Sequence, residues 1–372
     1  MALTDFAVEN YRSIRNVWLK LQPVNVIIGP NGSGKSNLYR AIYLVSCAAR
    51  GQFASALAEE GGIQSVLFAG PRKEPGKRET FKLSVRVGKF EYNLECGTCG
   101  DVVKPGFFAG DPEIKKEEVF IVENGERHGL LERRRRSIWA RNAAGKQVDY
   151  TVQVPDNESI LTGLNDPLNF PQLSILKEEF LSWRFYHHFR TDEDSPLRMP
   201  RVGVMTPALS DDAHDLAAVL ATILEAGKSE VLLERLAEAF PGADLDVRHS
   251  NSGLKLSMHF PEFARAFEAR ELSDGTLQYL CLLAALLPLK PAPLIALNEP
   301  ETSLHPRLIE PLAQLIVDAS SQSQIWVTTH SRELADAILD KSGYDHLELK
   351  KEKGETKLVG VGLGGYREKD EE

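Results

Sequence analysis

At 372 residues, with 42% apolar and 26% charged side chains, the chain has a globular composition and room for one large domain or two ordinary ones. Its 44 basic and 53 acidic residues give a net charge of −9, which excludes nucleic-acid binding by bulk positive charge; any such contact needs a local patch. No segment approaches the roughly 20 apolar residues of a membrane span, and Met1 to Arg12 lacks a signal-peptide core, so a cytoplasmic protein with no membrane partner is expected.

Leu3 to Tyr11 and Val17 to Leu21 alternate and read as strands. Val24-Asn25-Val26-Ile27-Ile28 is a short apolar strand that runs into Gly29-Pro30-Asn31-Gly32-Ser33-Gly34-Lys35-Ser36. This octet matches G-x-x-x-x-G-K-[ST] between a strand and a helix, the context in which the pattern cradles phosphate. Glycines let successive backbone N–H groups turn inward, and the helix start adds the positive end of its dipole. Lys35 is placed to neutralise the β and γ phosphates of ATP and Ser36 to ligate Mg²⁺; Asn37 completes the candidate set. The helix is expected from Ser36 to about Arg50, on an apolar stripe of Leu38, Ala41, Ile42, Leu44 and Val45. Beyond it, Gln64 is either a metal-facing glutamine of the nucleotide site or a plain surface residue.

From Phe81 to about Val154 the pattern is β-rich, with Phe81 to Val87, Glu118 to Val122 and Gln147 to Val154 as strands. Cys96 and Cys99 form a lone C-x-x-C; without a second pair at finger spacing, a reduced surface loop is expected. On a strand, Arg133-Arg134-Arg135-Arg136 must point to both faces, so at least two should be exposed and could contact DNA phosphates. The other reading is a solvated hairpin that pairs with the excess acid. Glu158 to Ala239 reads as mostly helical, with loops at Asn165 to Pro171 and Asp192 to Pro207, and Asp244 to Phe260 as a hairpin turning at Asn251-Ser252-Gly253.

After Ser273 the pattern returns to α/β. Glu271-Leu272-Ser273-Asp274-Gly275-Thr276 leads into the apolar helix from Leu277; alone it would be a helix cap on Ser273 or Asp274. Leu294 to Leu297 is an apolar strand ending in Asn298-Glu299-Pro300-Glu301, the form that delivers a carboxylate beside a nucleotide-bound cation. Glu299 is the natural general base for an attacking water. Where an Asp usually stands there is Asn298, whose amide oxygen can still accept from a metal-bound water, while Pro300 and Glu301 shape the turn. A helix is expected from about Pro306, then the strand Gln324 to Thr328, which runs into Thr329-His330-Ser331. The tail from Arg367 is highly charged and expected to fray.

The order phosphate loop, L-S-D-G-T, acidic strand end and strand-T-H-S resembles the RecF/SMC/OLD branch of ABC-type P-loop ATPases. Within that branch the chain is similar to the stand-alone predicted ATPases of the AAA-21 type, on Phe6 to Ser13, the loop with Asn37, and Asn298 to Pro306. The resemblance implies an α/β fold: an ABC-type core of mixed sheet flanked by helices, with a β-rich and helical insertion between phosphate loop and signature. The domains are then 1–80 with the phosphate loop, 81–264 as the insertion, and 265–372 with signature, acidic strand and switch histidine. It further implies that Ser273, Asp274 and Gly275 bind the γ-phosphate of ATP held by a second copy, that Ser303 to Pro306 crosses the dimer interface, and that His330 senses the γ-phosphate. The signature serine lies 238 residues after Lys35, too far for a transporter subunit.

The expected activity is slow ATP hydrolysis with Mg²⁺ in an ATP-dependent homodimer. Two uses stand open. One is a DNA-associated clamp or switch in repair or phage defence, through Arg133 to Arg136. The other is a regulatory ATPase that controls a separate effector such as a nuclease. Only about 40 residues follow His330, too few for a nuclease domain within the chain.

Overall fold

The computed structural model describes residues 1–71, 79–99, 110–134, 137–149, 154–163, 166–227 and 229–359. The chain opens with β1 (Leu3–Tyr11), β2 (Ile14–Lys20) and β3 (Val24–Ile28), followed by α1 (Lys35–Arg50), α2 (Phe53–Glu59) and α3 (Ile63–Val66). Six strands come next: β4 (Thr80–Val87), β5 (Phe90–Thr98), β6 (Pro112–Glu123), β7 (Glu126–Arg134), β8 (Ser137–Arg141) and β9 (Gln147–Asp149). Helices α4 (Ile160–Gly163) and α5 (Pro171–Ser182) precede β10 (Arg184–Tyr186), α6 (Leu216–Glu225) and α7 (Ser229–Ala239). Then come β11 (Asp244–Ser250), β12 (Gly253–His259), β13 (Phe267–Glu268) and α8 (Asp274–Leu286). The chain finishes with β14 (Leu294–Asn298), α9 (Ile309–Ala319), β15 (Gln324–Thr329), α10 (Arg332–Ser342), β16 (Leu347–Glu352) and β17 (Glu355–Val359).

These elements fall into two compact units. The first comprises Met1–Gln22, Gly29–Trp183 and Leu347–Glu372; the second comprises Pro23–Ile28 and Arg184–His346. In the first unit, one antiparallel sheet runs β2-β1-β4-β5-β6-β7-β8-β9. Its strands follow the period of two: on β4, Phe81, Leu83, Val85 and Val87 are buried while Lys82 is exposed. The same alternation turns Cys96 of β5 into the core, where burial pushes its thiol up, so only Cys99 of the C-x-x-C is partly exposed. Helix α1 packs on β1, β4 and α5. At the end of α5, Phe180 stacks edge-on against Tyr92 (5.4 Å) and Trp183 (4.9 Å), and its carbonyl accepts from the Ser46 hydroxyl of α1 at 3.0 Å.

One buried polar network crosses this unit. The fully buried Glu117 accepts from the Tyr92 hydroxyl and the Ile160 N–H, each at 2.9 Å, and from the Ser159 hydroxyl; desolvation pushes its carboxyl up. Beside it the Arg133 side chain, 1% exposed, donates to the carbonyls of Glu158 (2.6 Å) and Pro155 (3.1 Å).

In the second unit four parallel strands run β10-β14-β15-β3. Leu294 to Leu297 are all buried, the near-continuous apolar run of a strand covered on both faces. One hydrophobic cluster fills this unit, from Val24, Val26 and Ile28 through α6 and α8 to Leu334 and Ile338 of α10. Strands β11 and β12 pair as the expected hairpin, joined to β13. Two elements differ from expectation. Arg184–Tyr186 lies in a stretch read as helical, yet it pairs in parallel with Ile295–Leu297, because three residues carry no period of their own and take their conformation from their neighbour. The hairpin β16–β17 has no marked signal in the sequence. Gln147–Asp149 is the described part of the third expected strand in the β-rich stretch, and the tail from Arg367 lies outside the described residues. No helix among the described residues is long and apolar enough to cross a membrane.

Phe180→Ala should lower the unfolding free energy by about 3–5 kcal/mol in urea denaturation, the cost of a buried aromatic cavity. Leu168→Ser, at a side chain 87% exposed, should stay within about 0.5 kcal/mol of the parent.

Candidate functional site

The phosphate loop turns tightly. The Ser33 N–H bonds the Pro30 carbonyl at 3.1 Å, and Gly32 and Gly34 take φ of 79° and 109°. The N–H groups of Asn37 and Leu38 both bond the Gly34 carbonyl at 3.1 Å, which starts α1 on Lys35. A Cβ on Gly34 would lie 2.1 Å from the Thr356 Oγ1, and its φ is one that L side chains rarely adopt. Lys35 is 5% exposed and folds back over the loop, its Nζ 2.7 Å from the Gly29 carbonyl and 3.2 Å from that of Pro30. The Ser33 hydroxyl is buried and has no hydrogen-bond partner among the described residues. Pro30, Asn31, Gly32 and Ser36 are exposed. A triphosphate fits this donor set: the ammonium would exchange loop carbonyls for phosphate oxygens, the orphaned Ser33 hydroxyl offers a further donor, and Ser36 is open to a cation.

A relay of small polar groups closes the loop from behind. The Asn37 amide donates to Ser13 Oγ at 2.7 Å, Ser13 Oγ lies 2.7 Å from Thr356 Oγ1, and Thr356 donates to the Ser33 carbonyl at 2.9 Å. Asn37 therefore holds the turn between β1 and β2 with its side chain, and Thr356 of β17 is a site residue that the sequence pattern does not mark.

In the second unit, β14 delivers Asn298 and Glu299 into a tight turn. Asn298 uses both ends of its amide: Nδ2 donates to the His187 carbonyl at 3.3 Å, and Oδ1 accepts from the Thr328 hydroxyl at 2.8 Å. Glu299 and Ser303 have φ of 48° and 67°, backbone strain of the kind that collects at functional turns. The Glu299 N–H anchors to the Thr328 carbonyl at 2.7 Å. Its carboxylate is 33% exposed and lies 3.8 Å from His330 Nδ1. Glu301 is the residue that sequence reasoning undervalued. Its side chain is 6% exposed, and one oxygen accepts from the Thr329 hydroxyl and from the His330 N–H (3.3 Å) while lying 3.4 Å from His330 Nδ1. Its other oxygen is buried without a partner. Besides shaping its turn, Glu301 locks the end of β15, and the second acid of Glu299-Pro300-Glu301 is the only hint of it in sequence. Tyr186, His187, His188, Phe189, Asn298 and Glu299 line a cleft of about 130 Å³ beside this turn.

Ser273 caps α8: its hydroxyl accepts from the Thr276 N–H at 3.2 Å. Ser273 and Asp274 are exposed. Gly275 faces the turn after Glu299 so closely that a Cβ would lie 2.7 Å from the Ser303 carbonyl oxygen. Just before the helix, the Arg265 guanidinium hydrogen-bonds Glu271 and, with the Glu268 N–H, holds its carboxyl down at about 2.

The remaining expected residues fall elsewhere. Gln64 is exposed on the short α3. Of the arginine run, Arg133 is buried on backbone carbonyls, Arg134 is exposed and pairs with Glu132, and Arg135 and Arg136 lie outside the described residues. Arg133 points inward because the alternation of β7 puts it on the covered face, so it is no phosphate ligand. Nearby Arg127 pairs with Glu91 at 2.7 Å and stacks on Phe120.

The family described as "AAA domain, putative AbiEii toxin, Type IV TA system" matches residues 24–336, and the chain belongs to it. By fold it is similar to the SmcHead bound to the C-winged helix domain of ScpA, with a TM-score of 0.55 at 17% identity over 98% of this chain and 99% of that one. It is also similar to the Smc head domain with an extended coiled coil bound to the C-terminal domain of ScpA from Pyrococcus furiosus, with a TM-score of 0.53 at 15% identity over 97% and 96%. No curated protein matches the chain. The chain is thus a member of this AAA domain family, and its α/β fold is the one seen in SMC head domains.

Thr356→Val should raise the Kd of a fluorescent ATP analogue at least about fivefold, about 1 kcal/mol or more, since it removes the hydroxyl's bonds to both Ser13 and the Ser33 carbonyl. Gly34→Ala should abolish binding in the same titration.

Proposed function

We propose that the chain binds ATP with Mg²⁺ and hydrolyses it slowly between two copies of itself, so that ATP closes a clamp and hydrolysis opens it. The observation that carries this reading is the start of α8. It presents Ser273 at an exposed helix N-terminus and packs Gly275 on the backbone of Ser303, so phosphate held there is linked to the turn that carries Glu299.

In this reading the backbone N–H groups of Gly29 to Ser36 and the Lys35 ammonium grip the β and γ phosphates. Ser36 and, through a water, Asn298 are the residues that would hold Mg²⁺, and a cation there would supply charge neutralisation for the phosphates. Glu299 takes a proton from water as the water oxygen bonds to the γ phosphorus; the bond from that phosphorus to the bridging oxygen breaks, leaving ADP and phosphate. His330, held by Glu299 and Glu301, contacts the γ-phosphate and registers its departure. The partner copy's α8 N-terminus completes the phosphate shell, which makes dimerisation depend on ATP.

What the clamp acts on is a separate question. The described arginines of the run are engaged, Arg133 with carbonyls and Arg134 with Glu132, as is nearby Arg127 with Glu91. That engagement favours a regulatory ATPase acting on a separate protein effector over a clamp that grips DNA through the arginine run.

Light scattering after size exclusion tests the clamp. Glu299→Gln should double in mass with Mg-ATP and stay monomeric without it, Lys35→Ala should not bind ATP, and Ser273→Arg should bind ATP but stay monomeric. A Glu299→Gln protein that turns over ATP at the parent rate would remove the general-base role. DNA affinity that falls at least tenfold from about 50 to 200 mM salt would restore the DNA clamp.

A further inference from the structure

The Arg198 guanidinium lies buried among six acceptors. Its Nε donates to the carbonyls of Thr191 (2.9 Å) and Asp192 (3.1 Å). Its Nη1 donates to the carbonyls of Ala269 (3.2 Å), Arg270 (3.2 Å) and Leu272 (2.8 Å), and its Nη2 to Asp274 Oδ1 at 2.6 Å. The Arg198 side chain is 8% exposed, the Asp274 side chain 58%. Every protein contact thus goes to the segment after β10 or to the segment that leads into α8, and the last reaches the residue that follows the helix cap.

This geometry bears on anion binding at α8. A carboxylate in the first turn favours the helix itself, since it faces the positive end of the dipole. The same carboxylate repels a phosphate that approaches that end. A bare Asp274 would therefore oppose the ligand that the exposed Ser273 is set to receive. Arg198 bonds one Asp274 oxygen and cancels its charge, and it draws the carbonyls of 269, 270 and 272 towards itself. What remains at this end is the exposed Ser273, whose hydroxyl caps the helix through Thr276, and the first N–H groups of α8.

We propose that Arg198 is the positioning residue of the trans phosphate site: it neutralises Asp274 and fixes the segment 269–272, and so makes the α8 N-terminus attractive to the γ-phosphate of a partner's ATP. The proposal rests on the ATP-dependent dimer described above and adds to it the group that sets how strongly the two copies close. Arg198 also ties this segment to Thr191 and Asp192, in the segment that begins with His187, whose carbonyl holds Asn298. The acidic turn and the signature helix therefore share one support.

The test uses the full chain in the Glu299→Gln background with Mg-ATP, read as the dimer dissociation constant by light scattering and sedimentation. Arg198→Met should raise that constant about tenfold or more, because it leaves Asp274 unpaired beside the phosphate. Arg198→Met with Asp274→Asn should recover the part of the loss that the unpaired charge causes, a coupling between two residues that a general packing defect does not produce. Asp274→Asn alone changes an exposed side chain, so it folds whatever Arg198→Met does, and it should tighten the dimer. Binding of a fluorescent ATP analogue to the monomer checks that each variant is folded. If the Glu299→Gln parent stays monomeric, the composite site falls and the role of Arg198 with it. If the parent dimerises but Arg198→Met dimerises equally, or the double variant recovers nothing, or Asp274→Asn weakens the dimer, the role of Arg198 alone is overturned.

Discussion

Among the places where one backbone leaves no room for a side chain on another, two lie at the candidate site's own elements. A Cβ at position 275 would sit 2.7 Å from the Ser303 carbonyl oxygen, and one at position 29 would sit 2.5 Å from that of Leu349. Contacts of this kind place one main chain directly on another, with no flexible group between them to absorb a shift. The start of α8 thus rests on the turn after Glu299, and the start of the phosphate loop rests on β16. A displacement of either support must move the backbone that rests on it. That stiffness suits a protein whose proposed work is to register the presence of one phosphate group.

Around these contacts, charged side chains serve as internal brackets. Arg198 gathers five carbonyls and one carboxylate, Glu301 gathers a hydroxyl and an N–H at the end of β15, and Arg133 holds two carbonyls before α4. Each is buried, so removing one partner leaves a polar group with no solvent to replace it. The second oxygen of Glu301 and the hydroxyl of Ser33 are two of the buried polar atoms that have no partner among the described residues; they lie in the turn after β14 and in the glycine loop.

Much of this was legible in the sequence, and the reason lies in where the information is held. The phosphate loop, α1, β14 and β15 are set by local rules: fixed glycine spacing, a 3.6 period on Leu38, Ala41, Ile42 and Val45, and unbroken apolar runs. The observed α1 begins one residue before the expected Ser36, and β14 extends one residue past Leu297 to Asn298. What escaped was set at long range. Tyr186 is a strand residue only because Leu297 is beside it, and nothing near Arg198 in sequence says that its guanidinium will meet residues 269 to 274. Arg133 and Arg134 show the same limit from the other side: adjacent and chemically identical, they differ only in which face of β7 they occupy.

The Thr356 hydroxyl reaches the Ser33 carbonyl across 323 positions of sequence. A chain growing on the ribosome makes its glycine loop early and must wait for nearly all the rest before that loop gains its rear support. Strand, helix and Lys35 can all be in place while the cradle they define is still slack. Loss of the β16–β17 hairpin would take that rear support away from the loop.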